Sequence, residues 1–153
     1  MSKTYKFISY RNGEKGGRSL AAVFLLAFFV TFAFSSCARK MTFAVSPVVP
    51  AAKGTVKIKK SKNDNYIIDV KVTNLAQPQR LNPPRKVYVV WMESRRHAVR
   101  NIGMIKSSKG LFSNTLKGEM KAGATYQPTD VFITAEDNGN VRYPGSQVVL
   151  RTK

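Results

Sequence analysis

Cys37 is the strongest candidate for covalent chemistry, because it is the only cysteine among 153 residues. A single cysteine in an exported protein has no internal disulfide partner, and a spare thiol outside the cytoplasm is prone to oxidation. A thiolate is a strong nucleophile that can accept a diacylglyceryl group as a thioether, which a serine hydroxyl does not do readily. Cleavage between Ser36 and Cys37 would then leave Cys37 as a new N-terminus. Lipid attachment at Cys37 would therefore account for a single cysteine in an exported protein.

The remaining residue types give little basis for catalysis or metal binding. His97 is the only histidine, no carboxylate lies close in sequence to orient it, and we interpret it as a solvated turn residue. Structural zinc needs four ligands from Cys, His or carboxylates. The oxygen-rich turns at 63–65 and 137–140 are typical of ordinary turns rather than calcium sites. We therefore expect no catalytic residues, no enzymatic activity, no cofactor and no metal.

Positive charge is the other chemical feature of the chain. Residues 37 to 153 retain 21 of the 26 basic residues and 7 of the 8 acidic ones, a net charge of +14. A solvated surface that favours solubility is one interpretation, and contact with anionic lipids, anionic envelope polymers or another envelope protein is a second. Nucleic acid is disfavoured, because the aromatic residues fall on strand positions instead of being interleaved with basic residues. The candidate polyanion contacts form two clusters: Lys57, Lys59, Lys60 and Lys62, and Arg95, Arg96 and Arg100.

An apolar run at 20–34 precedes Cys37 and follows a basic N-terminal stretch. Fifteen residues of helix span about 22 Å, whereas a bilayer core needs about 30 Å. A basic start, a short apolar middle and the small residues Ser35 and Ser36 are typical of a cleaved secretory signal. An ordinary secreted protein and an uncleaved membrane anchor remain as alternatives.

The residues around the cysteine resemble a bacterial lipobox. Phe34 and Ser36 replace the usual Leu and Gly or Ala, and such looser boxes resemble those of Bacteroidota lipoproteins. In that phylum acidic residues after the cysteine resemble a surface-export tag, whereas Arg39 and Lys40 are basic here. The resemblance therefore implies a lipid-anchored protein of the cell envelope, held on a membrane by acyl chains on Cys37 and facing the periplasm.

The pattern after Cys37 predicts one domain. We assign residues 1–36 to a signal peptide with a signal helix, 37–53 to a lipidated N-terminus and extended tether, and 54–153 to a β-sandwich domain. Short segments alternate between apolar and polar residues, as at 56–59 and 66–73, and turn residues separate them. A shorter strand is predicted at about 110–117. The segment 86–93 is apolar on both faces, as in a central strand that carries Trp91 into the core. The fold class is thus all-β, an immunoglobulin-like antiparallel β-sandwich of about seven strands, with a small β-barrel as the alternative.

The predicted strands and loops carry a further ordered set of residues: Tyr88, Trp91, Gly103, Phe132, Thr134, Glu136, Pro144 and Leu150. Their order and spacing resemble the extracytoplasmic C-terminal domain of anti-sigma-K factors over about residues 54 to 151. The resemblance implies an immunoglobulin-like sandwich that senses or binds outside the membrane, without enzymatic activity. It also raises an alternative function as an accessory or sensor domain in anti-sigma-like signalling. The 19 residues before the apolar run are too few for a sigma-binding domain, and Asp137-Asn138-Gly139-Asn140 replaces the expected Glu-Pro-Gly-Gly turn.

Overall fold

The computed structural model describes residues 38–109 and 116–153, which form a sandwich of two antiparallel β-sheets. One sheet has the strand order β1-β2-β3-β7-β6, and the other has the order β5-β4-β8-β9. A short 3-10 helix, Pro78–Arg80, lies between β3 and β4. The strands are β1 (Arg39–Thr42), β2 (Lys53–Lys60), β3 (Tyr66–Leu75), β4 (Val87–Ser94), β5 (His97–Met104), β6 (Lys106–Lys109), β7 (Leu116–Ala124), β8 (Asp130–Glu136) and β9 (Val148–Arg151).

The strand order confirms the predicted all-β sandwich. The set β2-β3-β7-β6 faces β5-β4-β8-β9 in the order that immunoglobulin-like domains give to strands A-B-E-D and C′-C-F-G. The described residues contain nine strands, two more than the sequence predicts. The prediction of about seven was therefore low, and the additional strands lie at sheet edges or in segments of weak strand propensity.

The main core lies between the two sheets. Val56, Ile68 and Val70 of the five-stranded sheet have no exposed surface, and neither do Val131 and Ile133 of the facing sheet. Successive side chains of a strand point to opposite faces, so each of these strands sends every second residue into this layer. Burial of such side chains contributes about 1.5–3 kcal/mol each, which makes this layer the main source of stability.

Trp91 is buried, as predicted, but not between the sheets. On β4, Tyr88, Val90 and Met92 belong to the main core, whereas Trp91 alternates to the outer face with Val89. There the Trp91 ring stacks on the ring of Phe132, with centroids 6.2 Å apart. The four-stranded sheet therefore has a second, smaller core on the side that faces away from its partner sheet.

The predicted tether at 37–53 is wrong for most of its length. Arg39–Thr42 forms β1, an edge strand that pairs antiparallel with β2. Met41 and Phe43 are each only 8% exposed, and Val49 is buried as well. The two prolines of this segment indicate extended chain but do not exclude a short edge strand, because β1 ends before them. The domain therefore includes residues 39–53.

Strand β7 also differs from the prediction, which placed a short strand at 110–117. The described part of the chain has β7 at Leu116–Ala124, paired with β3 on one side and β6 on the other. Residues 118–124 contain Gly, Ala, Lys and Glu, which are depleted in strands, so their propensity gave no signal. Residues 110–115 lie outside the described residues, as do the predicted signal helix, Ser36 and Cys37. Within the described ranges, no helix has the length and apolarity to cross a membrane.

Candidate functional site

The outer face of the five-stranded sheet is a field of lysines, here called the lysine face. Inward residues such as Val56 and Ile58 alternate with outward lysines, and neighbouring strands bring these lysines into register. Ile67, which is 46% exposed, is the one large hydrophobic residue among the outward positions of β2 and β3. The face consists of Lys40, Lys53, Lys57, Lys59, Lys71, Lys106, Lys117 and Lys121.

Two carboxylates lie on the lysine face, and the register places each between lysines. Asp69 is opposite Lys57 and Lys121, and Glu119 is opposite Lys71 and Lys106. Among the described residues, neither carboxylate comes within 4.0 Å of a lysine nitrogen.

At the edge of the sheet, Lys40 lies directly opposite Lys57. Like charges in directly opposed positions of a sheet are destabilising. The lysine face therefore holds positive charge that its own acids do not neutralise.

A second basic region lies at the end of the sandwich, in an open cleft of about 470 Å³ that we call the arginine cleft. It forms where β1 begins, where β4 turns into β5, and where the loop between β7 and β8 passes. Ser94 and Thr129 contribute to its wall. Its other lining residues are Arg39, Arg95, Arg96, His97, Tyr126 and Gln127, so no acidic residue lines it among the described residues.

Tight local structure positions the arginines of the cleft. Ser94 pairs with His97, so Arg95 and Arg96 form the two-residue tip of the β4–β5 hairpin and both are exposed. Arg39 pairs with Ile58, whose side chain is buried, and therefore occupies an inward position at the open end of the sandwich. This geometry directs Arg39 from one sheet toward the hairpin tip of the other.

His97 is exposed, as predicted, but it is the first residue of β5 and follows the turn instead of lying in it. The His97 ring stacks on Tyr126, with centroids 3.4 Å apart and planes inclined by 18°. The guanidinium carbon of Arg100 lies 5.8 Å from the Tyr126 ring centroid, within cation–π range. Thr129 donates its N–H to the carbonyl of Glu93 at 2.8 Å, which holds the loop carrying Tyr126 against the end of β4.

The seven predicted polyanion contacts are thus distributed over three places. Lys57 and Lys59 belong to the lysine face, and Arg95 and Arg96 line the arginine cleft, with Arg100 beside it. The two other lysines, Lys60 and Lys62, lie at the β2–β3 hairpin. The sequence prediction did not include Arg39, Tyr126 and Gln127. For Arg39, the sequence did contain a usable pattern. Arg39, Met41 and Phe43 alternate along the chain, so Arg39 is expected on the same inward face as the other two.

The β2–β3 hairpin carries Lys60 and Lys62. The Lys60 ammonium lies 2.7 Å from the Asp64 carboxylate, and both side chains are well exposed. Their hydrogen bond lowers the pKa of Asp64 and raises the pKa of Lys60. Asp64 therefore partly neutralises this hairpin, which makes Lys60 a weaker candidate for anion contact than the lysines of the sheet.

The outer face of the four-stranded sheet is covered, in contrast, by the loop at 137–147. The Trp91 indole N–H donates to Thr134 Oγ1 at 2.8 Å, and the Thr134 hydroxyl donates to Glu136 Oε1 at 2.6 Å. The same Glu136 oxygen accepts the Gly145 N–H at 2.7 Å. Asn101 donates its side-chain amide to the carbonyls of Gly139 and Val141 in the same loop, both at 2.9 Å. These bonds fix the loop over Trp91.

Acidic residues at the far end of this covered face are already engaged. Arg151 forms ion pairs with Glu93, at 2.9 Å, and with Asp130, and its guanidinium carbon lies 4.2 Å from the centroid of the Phe132 ring. Partial desolvation acts to lower the pKa of Arg151, but the hydrogen bonds that its guanidinium donates to Glu93 and Asp130 outweigh it and raise that pKa. Glu93 and Asp130 therefore neutralise Arg151. Within the described part of the chain, Arg151 does not line the arginine cleft, so these two acids do not form ion pairs with the arginines there.

Four residues of the family resemblance gather in this covered face. Trp91, Phe132, Thr134 and Glu136 make the contacts just described, which gives them a structural role in holding the 137–147 loop. In the described ranges, no group of three His, Cys, Asp or Glu residues is placed to hold a metal ion.

Comparisons of the chain with protein-family models, with curated proteins and with solved structures give no significant match. The resemblance to anti-sigma-K factors, and the signalling role it implies, stay predictions.

Proposed function

We propose that the protein is a non-enzymatic, lipid-anchored module of the bacterial cell envelope whose β-sandwich binds anionic envelope components. The lysine face carries this proposal. Eight lysines and two carboxylates share one continuous sheet surface, including the directly opposed pair Lys40 and Lys57. An anionic surface laid against this face would relieve the repulsion, and each lysine near an anionic membrane contributes about 1 kcal/mol.

A lipid on Cys37 would keep the positive charge of the sandwich close to the membrane surface. Cys37 precedes Arg39, the first residue of β1, by only two positions. Two residues of extended chain span about 7 Å, so a lipid on Cys37 would hold the sandwich at the membrane surface. Charge interactions there act within about one Debye length, roughly 10 Å at moderate ionic strength. The proposed anchor and the proposed anion contacts therefore support each other.

Mass spectrometry of the mature N-terminal peptide tests the anchor. The full chain and a Cys37→Ala variant are produced in a bacterial host, and the cells are separated into membrane and soluble fractions. A lipid-modified Cys37 at the N-terminus, with the variant displaced from its membrane position, is the expected result. An unmodified Cys37, or a retained 1–36 segment, would contradict the anchor.

Cosedimentation with anionic vesicles tests the lysine face in the full chain. Removing three charges by Lys57→Gln, Lys59→Gln and Lys121→Gln should weaken binding at low salt by at least about tenfold. The matched control removes three charges from exposed positions outside that face. Equal losses in both variants, or binding that is insensitive to salt, would contradict the assignment. The control substitutions are Arg80→Gln, Lys86→Gln and Arg142→Gln.

A further inference from the structure

We propose that the arginine cleft is a binding site for a single phosphate group, such as the monoester at the end of an envelope lipid. This inference deepens the function proposed above and rests on it for the source of the ligand. The cleft differs from the lysine face in shape and in residue type. It is concave and carries arginines, whereas the lysine face is a sheet surface with lysines alone as its cations.

The number of donors fits a phosphate. Arg39, Arg95 and Arg96 line one cleft, and each guanidinium offers five N–H donors in a planar fork that matches phosphate oxygens in pairs. A phosphate monoester carries a charge of about −1.5 to −2 and three acceptor oxygens at neutral pH. Among the described residues, none of these three arginines is ion-paired with a carboxylate. Their donors are therefore available to an anion.

The cleft wall offers two further groups for an anion. Gln127 contributes a side-chain amide, which can donate two hydrogen bonds. The Ser94 hydroxyl oxygen is buried and has no hydrogen-bond partner within the described part of the chain. A buried hydroxyl without a partner is destabilising, so a ligand that accepts a hydrogen bond from Ser94 would relieve that cost.

Stacking of aromatic rings and hydrogen bonds hold the walls of the cleft in place. Stacking with His97 holds Tyr126 beside the hairpin tip, and Arg100 contacts the same ring from β5. The Thr129 hydroxyl and N–H both donate to the carbonyl of Glu93, which fixes the loop from the opposite end. A volume of about 470 Å³ exceeds that of a phosphate alone and accommodates part of the molecule that carries it.

The position of the cleft favours a membrane source for the phosphate. Arg39 lines the cleft and follows Cys37 by two residues. With Cys37 lipidated, the cleft would lie within several ångströms of lipid headgroups. A phosphate at the end of a headgroup and a free phosphate share the same recognition chemistry, so the experiment separates these two sources.

Isothermal titration of the full chain with inorganic phosphate, in neutral detergent at low ionic strength, tests the site. The substitutions Arg95→Lys and Arg96→Lys keep the charge but remove the bidentate fork. We expect them to weaken phosphate binding by at least about tenfold, since a charge-assisted hydrogen bond contributes about 1.5–3 kcal/mol. The control, Lys57→Gln with Lys59→Gln, removes two charges from the lysine face and should change phosphate affinity by less than about twofold.

Vesicles distinguish the two sources. Phosphatidylcholine vesicles containing phosphatidic acid present a monoester phosphate, and pure phosphatidylcholine vesicles are the reference. Stronger binding to the former that the Arg95→Lys and Arg96→Lys variant weakens, although its charge is unchanged, assigns the site to a headgroup. The alternative result is that the substitutions weaken binding of inorganic phosphate but leave vesicle binding unchanged. That result assigns the site to free phosphate.

Two outcomes would overturn the site. One is the absence of saturable binding to inorganic phosphate, together with binding to phosphatidic acid vesicles that Arg95→Lys and Arg96→Lys leave unchanged. The other is an equal loss of binding in the arginine and lysine variants, which would reduce the cleft to general surface charge. Circular dichroism confirms that each variant is folded, as expected for exposed tip residues. Neither outcome depends on lipidation of Cys37 or on vesicle binding by the lysine face, so the two proposals fail separately.

Discussion

The two sheets of this sandwich differ in how their outer faces meet the solvent. On the four-stranded sheet, large apolar side chains such as Trp91 and Phe132 point outward, and the 137–147 loop covers them. On the five-stranded sheet the outward positions carry lysines, so that face needs no apolar cover. One face therefore obtains stability from burial, whereas the other gives up some stability to charge repulsion.

The difference indicates which face is available for binding. The covered face uses its polar groups internally, since Thr134, Glu136 and Asn101 all bond within it. The lysine face leaves its charges without ion-pair partners among the described residues. A surface whose charges are not used for folding is free to use them for a ligand, and the arginine cleft extends this property to the end of the sandwich.

The largest expected effect is on the covered face. Trp91→Ala should lower the free energy of unfolding by about 3–5 kcal/mol, because it removes a fully buried indole and its hydrogen bond to Thr134. The matched control is Ile67→Ala on the lysine face, where the side chain is 46% exposed, with an expected loss below about 1 kcal/mol. Urea denaturation measures both, and similar losses would remove the distinction between the faces.

Glu136→Ala tests how the loop is held. It leaves the Gly145 N–H and the Thr134 hydroxyl without their acceptor, with an expected loss of about 1–3 kcal/mol. Hydrogen exchange at Gly145 should accelerate, and Glu136→Gln should restore part of the protection, because an amide oxygen also accepts. Glu119→Ala, a carboxylate removed from the lysine face, should cost less than about 1 kcal/mol. Unchanged exchange at Gly145 would contradict this account.

The inner side of β4 supplies a pH-dependent comparison through Tyr88. Burial raises the pKa of Tyr88 to about 12, and its hydroxyl donates to the Ala76 carbonyl at 2.9 Å. An unfolded tyrosine titrates near 10, so the folded state holds the proton more strongly. This contribution is complete below about pH 10 and is lost as the pH rises toward 12, by up to about 2 kcal/mol.

Denaturation of wild type and Tyr88→Phe as a function of pH measures this contribution. The stability difference between the two proteins should shrink between about pH 10 and 12, because the variant lacks the titrating group. Tyr143→Phe is the control, since Tyr143 is 77% exposed. A difference that stays constant over this range would show that burial of the Tyr88 hydroxyl does not affect stability.

The smallest expected effect on stability concerns the edge pair of the lysine face. Lys40→Gln should raise the free energy of unfolding by a few tenths of a kcal/mol at low salt, because it removes the repulsion with Lys57, and Lys40 on the edge strand pairs with no carboxylate among the described residues. High salt should abolish this gain by screening. A double-mutant cycle with Lys57→Gln isolates the pair from the interaction of Lys57 with the opposed Asp69, and a gain that persists at high salt would exclude repulsion as its cause.

Local patterns predicted the parts of the fold that depend on local chemistry. Alternation at 56–59 and 66–73 gave β2 and β3, and apolar residues on both faces of 86–93 gave the central position of β4. Strand β7 was missed beyond Lys117, because Gly118 and Ala122 are poor strand formers, and pairing with β3 overrides that propensity. Strand β1 was missed because a four-residue edge strand before two prolines has little pattern of its own.

The sequence predicted only the part of the candidate site that lies in short runs of charge, because residues distant in the sequence meet only in the folded chain. Runs of charge identify Lys57, Lys59, Arg95 and Arg96 directly in the sequence. Arg39 is 56 positions from Arg95, and only the sandwich places them in one cleft. The burial of Trp91 was correctly expected, but its face was not, because a strand that is apolar on both sides does not indicate which side meets the other sheet.

The sequence alone determined the fold class and the excess of positive charge, and it made Cys37 the candidate for lipid attachment. These follow from residue type and short-range periodicity, which need no knowledge of distant contacts. Only the tertiary structure decided which sheet face stays open, which loop covers Trp91, and which arginines meet at the end of the sandwich. Those features depend on pairing between strands far apart in sequence, and strand pairing is decided by the packing of the whole domain.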